Sequence, residues 1–271
     1  MSPFWTLVLL VVLVLGKFRF LWKPGGQTFP FFRRPLVFGH RGSPRYAPEN
    51  TLEAYRAALE RGADGVEIDV IATRDGEIIC SHNFDLERET DGSGFIDESL
   101  YADLLPVKTG VTRPHLVPTG LNTLKEVLAA LPANVPVNIE VKSWRMLDLQ
   151  TGMRVARLIR RGQVRQPVLV SSFNPLVVAG VKLVDRNIST GLILEELKWL
   201  WTVHWIHPDA LHPTAELVTP ELIRFAHDRG VRLHVWTVNT RPAMKRLLEW
   251  GVDGIFTDVP DLRPDSSSHA A

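Results

Sequence analysis

Gly65-Val-Glu-Ile-Asp-Val-Ile71 sets two carboxylates inside a short β-branched run. Alternate residues of a strand share a face, so Glu67 and Asp69 project together from one side. Within an otherwise apolar strand that pairing is costly unless a cation or a base satisfies it. A helical pattern, Thr51 to Arg61, precedes the run and ends at Gly62, where a left-handed C-terminal cap belongs. A helix feeding a short apolar strand is the unit of a parallel β/α protein, and the chain repeats it. Strand candidates are Leu36–Gly39, Gly65–Ile71, Glu77–Ser81, Val135–Val141, Pro167–Ser172, Thr190–Leu194, Asp209–Leu211, Leu233–Val238 and Gly254–Thr257. Helical patterns over 51–61, 123–131, 148–161, 175–184, 220–229 and 241–250 fit between most of them.

The body from Pro35 is about 237 residues long, the size of one (β/α)₈ TIM barrel. Nine strand candidates leave one to spare. The Gly/Pro-rich, weakly periodic stretch Phe84 to Thr119 breaks the alternation and reads as a small insertion over one end of the barrel. The expected organisation is an apolar head over 1–22, a linker over 23–35, an α/β barrel over 36–263 and a disordered tail over 264–271.

The chain has 271 residues, 45% apolar and 23% charged, which excludes wholesale disorder. Its net charge of +1 hides an asymmetry. Residues 1–34 hold five bases and no acid, leaving 26 bases against 30 acids in the body. A body of that sign is a poor general binder of nucleic acid. Cys80, the single cysteine, forms no intrachain disulfide and reads as a small core residue.

From Phe4 to Leu15 every residue except Thr6 is apolar, and Pro3 to Trp22 reaches 20 residues if Lys17 and Arg19 snorkel. No base precedes this run and no small-x-small cleavage site follows it. An uncleaved single-pass anchor is therefore preferred over a signal peptide that would release a secreted body, or over a helix lying in the interface. The bases after the run put the body on the cytoplasmic side. The linker aromatics would then sit at headgroup depth.

Asn138-Ile-Glu-Val-Lys142 repeats the opening device, with Glu140 and Lys142 on one face. Three carboxylates from two strands at a barrel mouth suit a hard divalent cation; two buried ion pairs, such as Glu140 with Lys142, are the alternative. His40 and His82 each end a strand, where a barrel carries its reactive groups. Histidine moves protons near neutral pH. The other seven histidines read as core or capping groups. Arg41, followed by Gly42, either clamps a phosphate or pairs with Glu49 or Asp75.

His40-Arg-Gly, Ala47-Pro-Glu-Asn-Thr-Leu52, Glu67-x-Asp69, His82, Glu140-x-Lys142, Trp236-Thr-Val-Asn239 and Gly251-Val-Asp-Gly-Ile-Phe-Thr-Asp258 run in order over nearly the whole body. This set resembles the glycerophosphodiester phosphodiesterase family. The resemblance implies a TIM barrel with a small insertion and metal-dependent hydrolysis of glycerophosphodiesters to sn-glycerol 3-phosphate and an alcohol. Carried over by position, Glu67, Asp69 and Glu140 would hold one divalent ion (Mg²⁺, Ca²⁺ or Mn²⁺). His40 and His82 would be the acid/base pair, Arg41 and Lys142 would bind phosphate, and Trp236 would line the glycerol end. Glu49 and Asn50 fall in the family loop or cap the helix near Leu52. One departure stands out: the family usually has Asp after the second histidine, and here Asn83 follows His82.

Two other readings remain open. A membrane-bound lysophospholipase D is favoured by the apolar head and by Trp199-Leu-Trp201-Thr-Val-His-Trp205-Ile as an acyl rim, although a packed loop or outer helix fits that stretch as well. A non-catalytic, membrane-tethered barrel that binds phosphorylated ligands is the other, and the intact histidines and carboxylates argue against it.

Overall fold

The computed structural model describes residues 3–30 and 34–263. It begins with helix α1 (Pro3–Phe20). The chain then runs β1 (Leu36–Gly39), α2 (Leu52–Glu60), β2 (Gly65–Ala72), β3 (Ile78–Cys80), α3 (Tyr101–Leu104), β4 (Lys108–Thr109), β5 (Thr119–Gly120) and α4 (Leu124–Ala130). It continues through β6 (Val137–Val141), α5 (Gln150–Leu158), β7 (Val168–Ser172), α6 (Pro175–Val184), β8 (Ser189–Leu194) and α7 (Val203–Ile206). The last elements are β9 (Ala210–Pro213), α8 (Pro220–His227), β10 (Arg232–Val235), α9 (Arg241–Trp250) and β11 (Gly254–Thr257).

Strands β1, β2, β6, β7, β8, β9, β10 and β11 pair in parallel in that order, and β11 returns to β1, closing the expected (β/α)₈ barrel. The spare ninth candidate is β3, which pairs antiparallel with β2 through Val70 and Cys80 and is no barrel stave. Ile71 and Ile79 on this hairpin pack with Leu86, Ile96, Leu104 and Val107, so the insertion folds over the mouth on its own small apolar cluster. Cys80 is buried and free, the core residue its neighbours implied.

Why the helices start where they do is local. Thr123 caps α4 by accepting from Glu126 N, and the Glu126 carboxylate accepts in return from Thr123 N, a reciprocal pair typically worth about 1 kcal/mol. The buried faces of the helices then close over the outer faces of the strands. Ile68, Val70, Ile139 and Val170 lie in one such cluster, and Leu211, Leu233 and Ile255 in another.

The opposite, N-terminal opening corrects one expectation. Of the residues read as a linker with its aromatics at headgroup depth, Gly26 to Phe29 instead seal the barrel floor. Phe29 is 1% exposed among Leu36, Phe38, Leu169, Ala210 and Phe256. Thr28 Oγ1 donates to Val168 O and accepts from Ser189 N, and Gly26 N donates to Asp209 Oδ1. Linker residues 31–33 and the tail, 264–271, expected to be disordered, lie outside the described residues.

The head is helical, and Phe4, Trp5 and Leu7 to Leu15 are exposed along it. Its C-terminal end docks on the barrel, with Trp22 stacked on His207 and Phe18 beside Trp205. A single-pass span is not met: among the described residues no helix is long and apolar enough to cross a membrane. Lys17 and Arg19 close the apolar run from within the helix, too early for a full crossing. The tryptophan-rich stretch forms a 3₁₀ turn, Leu197–Thr202, shortly after β8, and then α7, with Trp199, Trp201 and Trp205 exposed.

Candidate active site

Register brings the acidic motifs together. β2 and β6 pair with Glu67 beside Asn138 and Asp69 beside Glu140, so all four point inward from adjacent strands. Carboxylate oxygens of Glu67, Asp69 and Glu140 lie within 4.8 Å of one another, and all three residues are buried. Two cations face them. Lys142 Nζ meets Asp69 Oδ1 at 2.9 Å and also contacts Glu140 Oε1. Arg41 approaches Asp69 Oδ2 with Nε at 3.4 Å, and its backbone N–H donates to Glu67 Oε2 at 2.7 Å. The ion pairs that sequence alone allowed are therefore present, but they leave three carboxylates against two bases, with buried Glu67 Oε1 unpartnered.

The electrostatics follow from that count. Burial, then the charges of Asp69 and Glu140, push the Glu67 carboxyl well above its usual range. Burial would raise Asp69 too, but Lys142 and Arg41 overcome it and hold Asp69 well below. Burial also raises Glu140. An arrangement that keeps one buried carboxylate ionised beside two that resist ionisation fits a hard divalent cation, whose charge would offset the repulsion.

The histidines flank this cluster with different partners. His40 Nδ1 lies 2.7 Å from Asp258 Oδ1. Asp258 is itself held by Asn239, which donates to its other oxygen at 2.6 Å and accepts from its backbone N–H. His82 Nδ1 instead meets the amide oxygen of Asn83 at 3.0 Å. Burial lowers the His82 pKa, with Asp69 opposing. Asn83 thus preserves the orientation of His82 while supplying no charge.

His40, Arg41, Glu67, His82, Glu140, Lys142 and Trp236 line one cavity of about 180 Å³, and Asp69 lies against its cations. All eight residues singled out from sequence therefore converge. Trp236 stands edge-on to Phe173, its indole N–H donating to His212 O. Arg41 also reaches Glu49 at 2.9 Å, the pairing its position allowed; Asp75 takes no part and bonds Thr73 and Tyr101 instead. Gly42 has φ of +82°, and a Cβ there would meet the Ala54 backbone carbon at 2.5 Å, so glycine is required for this loop to pass α2.

Asn50 is not the helix cap; Thr51 is, accepting from Ala54 N. Buried Asn50 braces Asp69 from both sides, donating to Oδ2 and accepting from the Asp69 backbone N–H, each at 2.9 Å. Sequence reasoning gave Asp258 and Asn239 no individual role, although Asp258 follows β11 as His40 follows β1, a placement that could have singled it out.

The sequence matches the profile of the Glycerophosphoryl diester phosphodiesterase family over residues 40–262. The chain belongs to this family. A glycerophosphodiester phosphodiesterase of Caldanaerobacter subterraneus subsp. tengcongensis is 31% identical, the alignment covering 84% of this chain and 96% of that one. One from Bacillus subtilis is 31% identical over 93% of this chain and 94% of its own. Among solved structures, a phosphodiesterase from Oleispira antarctica in complex with the product sn-glycerol-3-phosphate is similar with a TM-score of 0.76 and 26% identity, covering 84% of this chain and 94% of that one. The eight residues that converge on the cavity all fall within the span matched by this family.

Proposed function

We propose that the chain hydrolyses glycerophosphodiesters to sn-glycerol 3-phosphate and an alcohol, assisted by one divalent cation held by Glu67, Asp69 and Glu140. The observation that carries this is the convergence of that under-neutralised carboxylate cluster with two histidines, Arg41 and Lys142 around one small cavity. A bound cation would act as a Lewis acid on the phosphoryl oxygens. Arg41 and Lys142 hold the phosphate, and Trp236 with Phe173 borders the glycerol.

His40 and His82 divide the proton work. With Nδ1–H donated to Asp258, His40 presents Nε2 as an acceptor, and the carboxylate stabilises the imidazolium formed when it takes the proton of the attacking oxygen, water or the glycerol 2-hydroxyl. His82, oriented by the Asn83 amide and with its pKa lowered by burial, passes its proton to the departing alkoxide.

The test is a product assay with glycerophosphocholine and with a lysophospholipid, each with chelator and with cation restored. The expected result is sn-glycerol 3-phosphate from glycerophosphocholine, lost on chelation and regained with cation. Faster release from the lysophospholipid would favour a lysophospholipase D, and binding without hydrolysis a non-catalytic barrel.

We also infer that α1 inserts into the interface of a membrane without crossing it. The exposed apolar residues from Phe4 to Leu15 are poorly solvated by water, and Lys17, Arg19 and Lys23 follow them as a basic collar suited to anionic headgroups. Full-length protein should float with vesicles containing phosphatidylglycerol, and Leu10→Asp with Val12→Asp should release it. Absence of flotation by the unaltered chain would contradict this.

A further inference from the structure

The 180 Å³ cavity has room for glycerol and its phosphate, so the alcohol half of a diester must lie beyond it. A larger cleft of about 680 Å³ adjoins it, and Lys142 borders both. The cleft runs between the insertion and the β6–α5 loop. One wall is Phe84, two residues beyond His82, stacked at 5.1 Å on half-exposed Trp144. An alcohol protonated by His82 would leave along this wall.

The charges of the cleft select what fits. Arg74, Arg145 and Arg154 line it, against Asp97, Glu98 and Asp148. Two of those acids are engaged, and the third, Glu98, is exposed to solvent. Asp148 accepts from Gln150 N, Thr151 N and Thr151 Oγ1 at the start of α5. Asp97 accepts from Trp144 Nε1 and faces Arg145 at 3.7 Å. No side-chain ion pair engages Arg74 or Arg154 among the described residues. The opening on the other flank, about 460 Å³, is smaller and offers one arginine, Arg45, outside an ion pair among the described residues, because Arg41 and Arg113 there are both paired with Glu49.

Resting on the proposed hydrolysis, we propose that this cleft is the leaving-alcohol subsite and that it selects glycerophosphodiesters of anionic polyols, with Arg74 and Arg154 on the added negative charge and Trp144 under the polyol ring. Guanidinium groups outside close ion pairs recognise a phosphate-bearing alcohol and disfavour a quaternary ammonium, and Arg74 has only the solvent-exposed Asp75 carboxylate near it.

The experiment compares kcat/KM for glycerophosphoinositol 4-phosphate with that for glycerophosphocholine, in the unaltered chain, in Arg74→Glu and in Arg74→Glu with Arg154→Glu. Melting curves establish that each variant folds. The unaltered chain should favour the anionic diester by about tenfold or more, and the double variant should reduce that ratio by at least about tenfold. A ratio favouring choline in the unaltered chain, or one unchanged by the substitutions, would overturn the proposal. If neither diester is cleaved, the hydrolytic reading fails, and calorimetric binding of glycerophosphoinositol 4-phosphate decides the cleft. Affinity weakened about tenfold in the double variant supports it. Equal affinity overturns it.

Discussion

The two ends of the barrel each bury carboxylates, and they treat them oppositely. At the N-terminal end Asp209, fully buried, accepts from Gly26 N, Thr190 N, Thr190 Oγ1 and Lys182 Nζ, and Phe29 seals the opening. At the C-terminal end Glu67 keeps an unpartnered oxygen, and three carboxylates share two cations around an open cavity. Burial alone does not mark a functional acid. A carboxylate whose lone pairs are spent on backbone N–H groups and one lysine is structural, whereas one left short of partners beside like charges is poised for a cation.

Several substitutions would break or sharpen this contrast. Glu67→Gln at the mouth should lower turnover of a glycerophosphodiester by about 10²–10³-fold, with a melting temperature no lower than that of the unaltered chain, because a neutral amide replaces a buried carboxyl that its neighbours hold against ionisation. Steady-state kinetics beside calorimetry checks it, and a large stability loss with turnover intact would reverse the assignment. Phe29→Ala at the floor should do the opposite, costing about 3–5 kcal/mol in denaturant unfolding while the folded enzyme keeps its kcat.

Between the ends, His234 lies against Phe38 and Phe256, and burial lowers its pKa to about 4. The unfolded chain, with an ordinary value near 6.5, then binds the proton more readily. Stability is fully present above about pH 6.5 and is lost as pH falls toward 4, by about 3 kcal/mol across that window. His234→Phe should flatten this slope in urea melts at pH 7, 6 and 5; an unchanged slope would assign the acid sensitivity elsewhere. Smallest of all, Thr123→Ala, remote from both ends, should cost about 1 kcal/mol by loss of the α4 cap and leave kinetics untouched.

Legibility in the sequence divides along the same line. Carboxylates inside apolar strands are conspicuous, so Glu67, Asp69 and Glu140 could be placed on inward faces before any coordinates. The β/α alternation likewise placed all eight staves, with β1 and β11 at their observed ends. Which candidate was the spare could not be read, because a three-residue apolar run has the same pattern whether it pairs in parallel or, like β3, antiparallel. Asn50 was ambiguous because Asn and Thr both cap helices, and which one does depends on the tertiary bonds that draw Asn50 to Asp69. The floor was hidden for a different reason: Phe29 in a Gly/Pro-rich stretch has no periodicity, and its burial depends on a barrel opening formed by residues far along the chain.

The most direct measurement is the melting temperature of the metal-stripped protein as a divalent cation is titrated, in the unaltered chain and in Glu67→Gln and Asp209→Asn. The account predicts a saturating rise in the unaltered chain, equivalent to about 2.7 kcal/mol at a hundredfold excess over Kd, a similar rise in Asp209→Asn from a lower starting point, and none in Glu67→Gln. A flat titration of the unaltered chain, or an equal rise in Glu67→Gln, would contradict it.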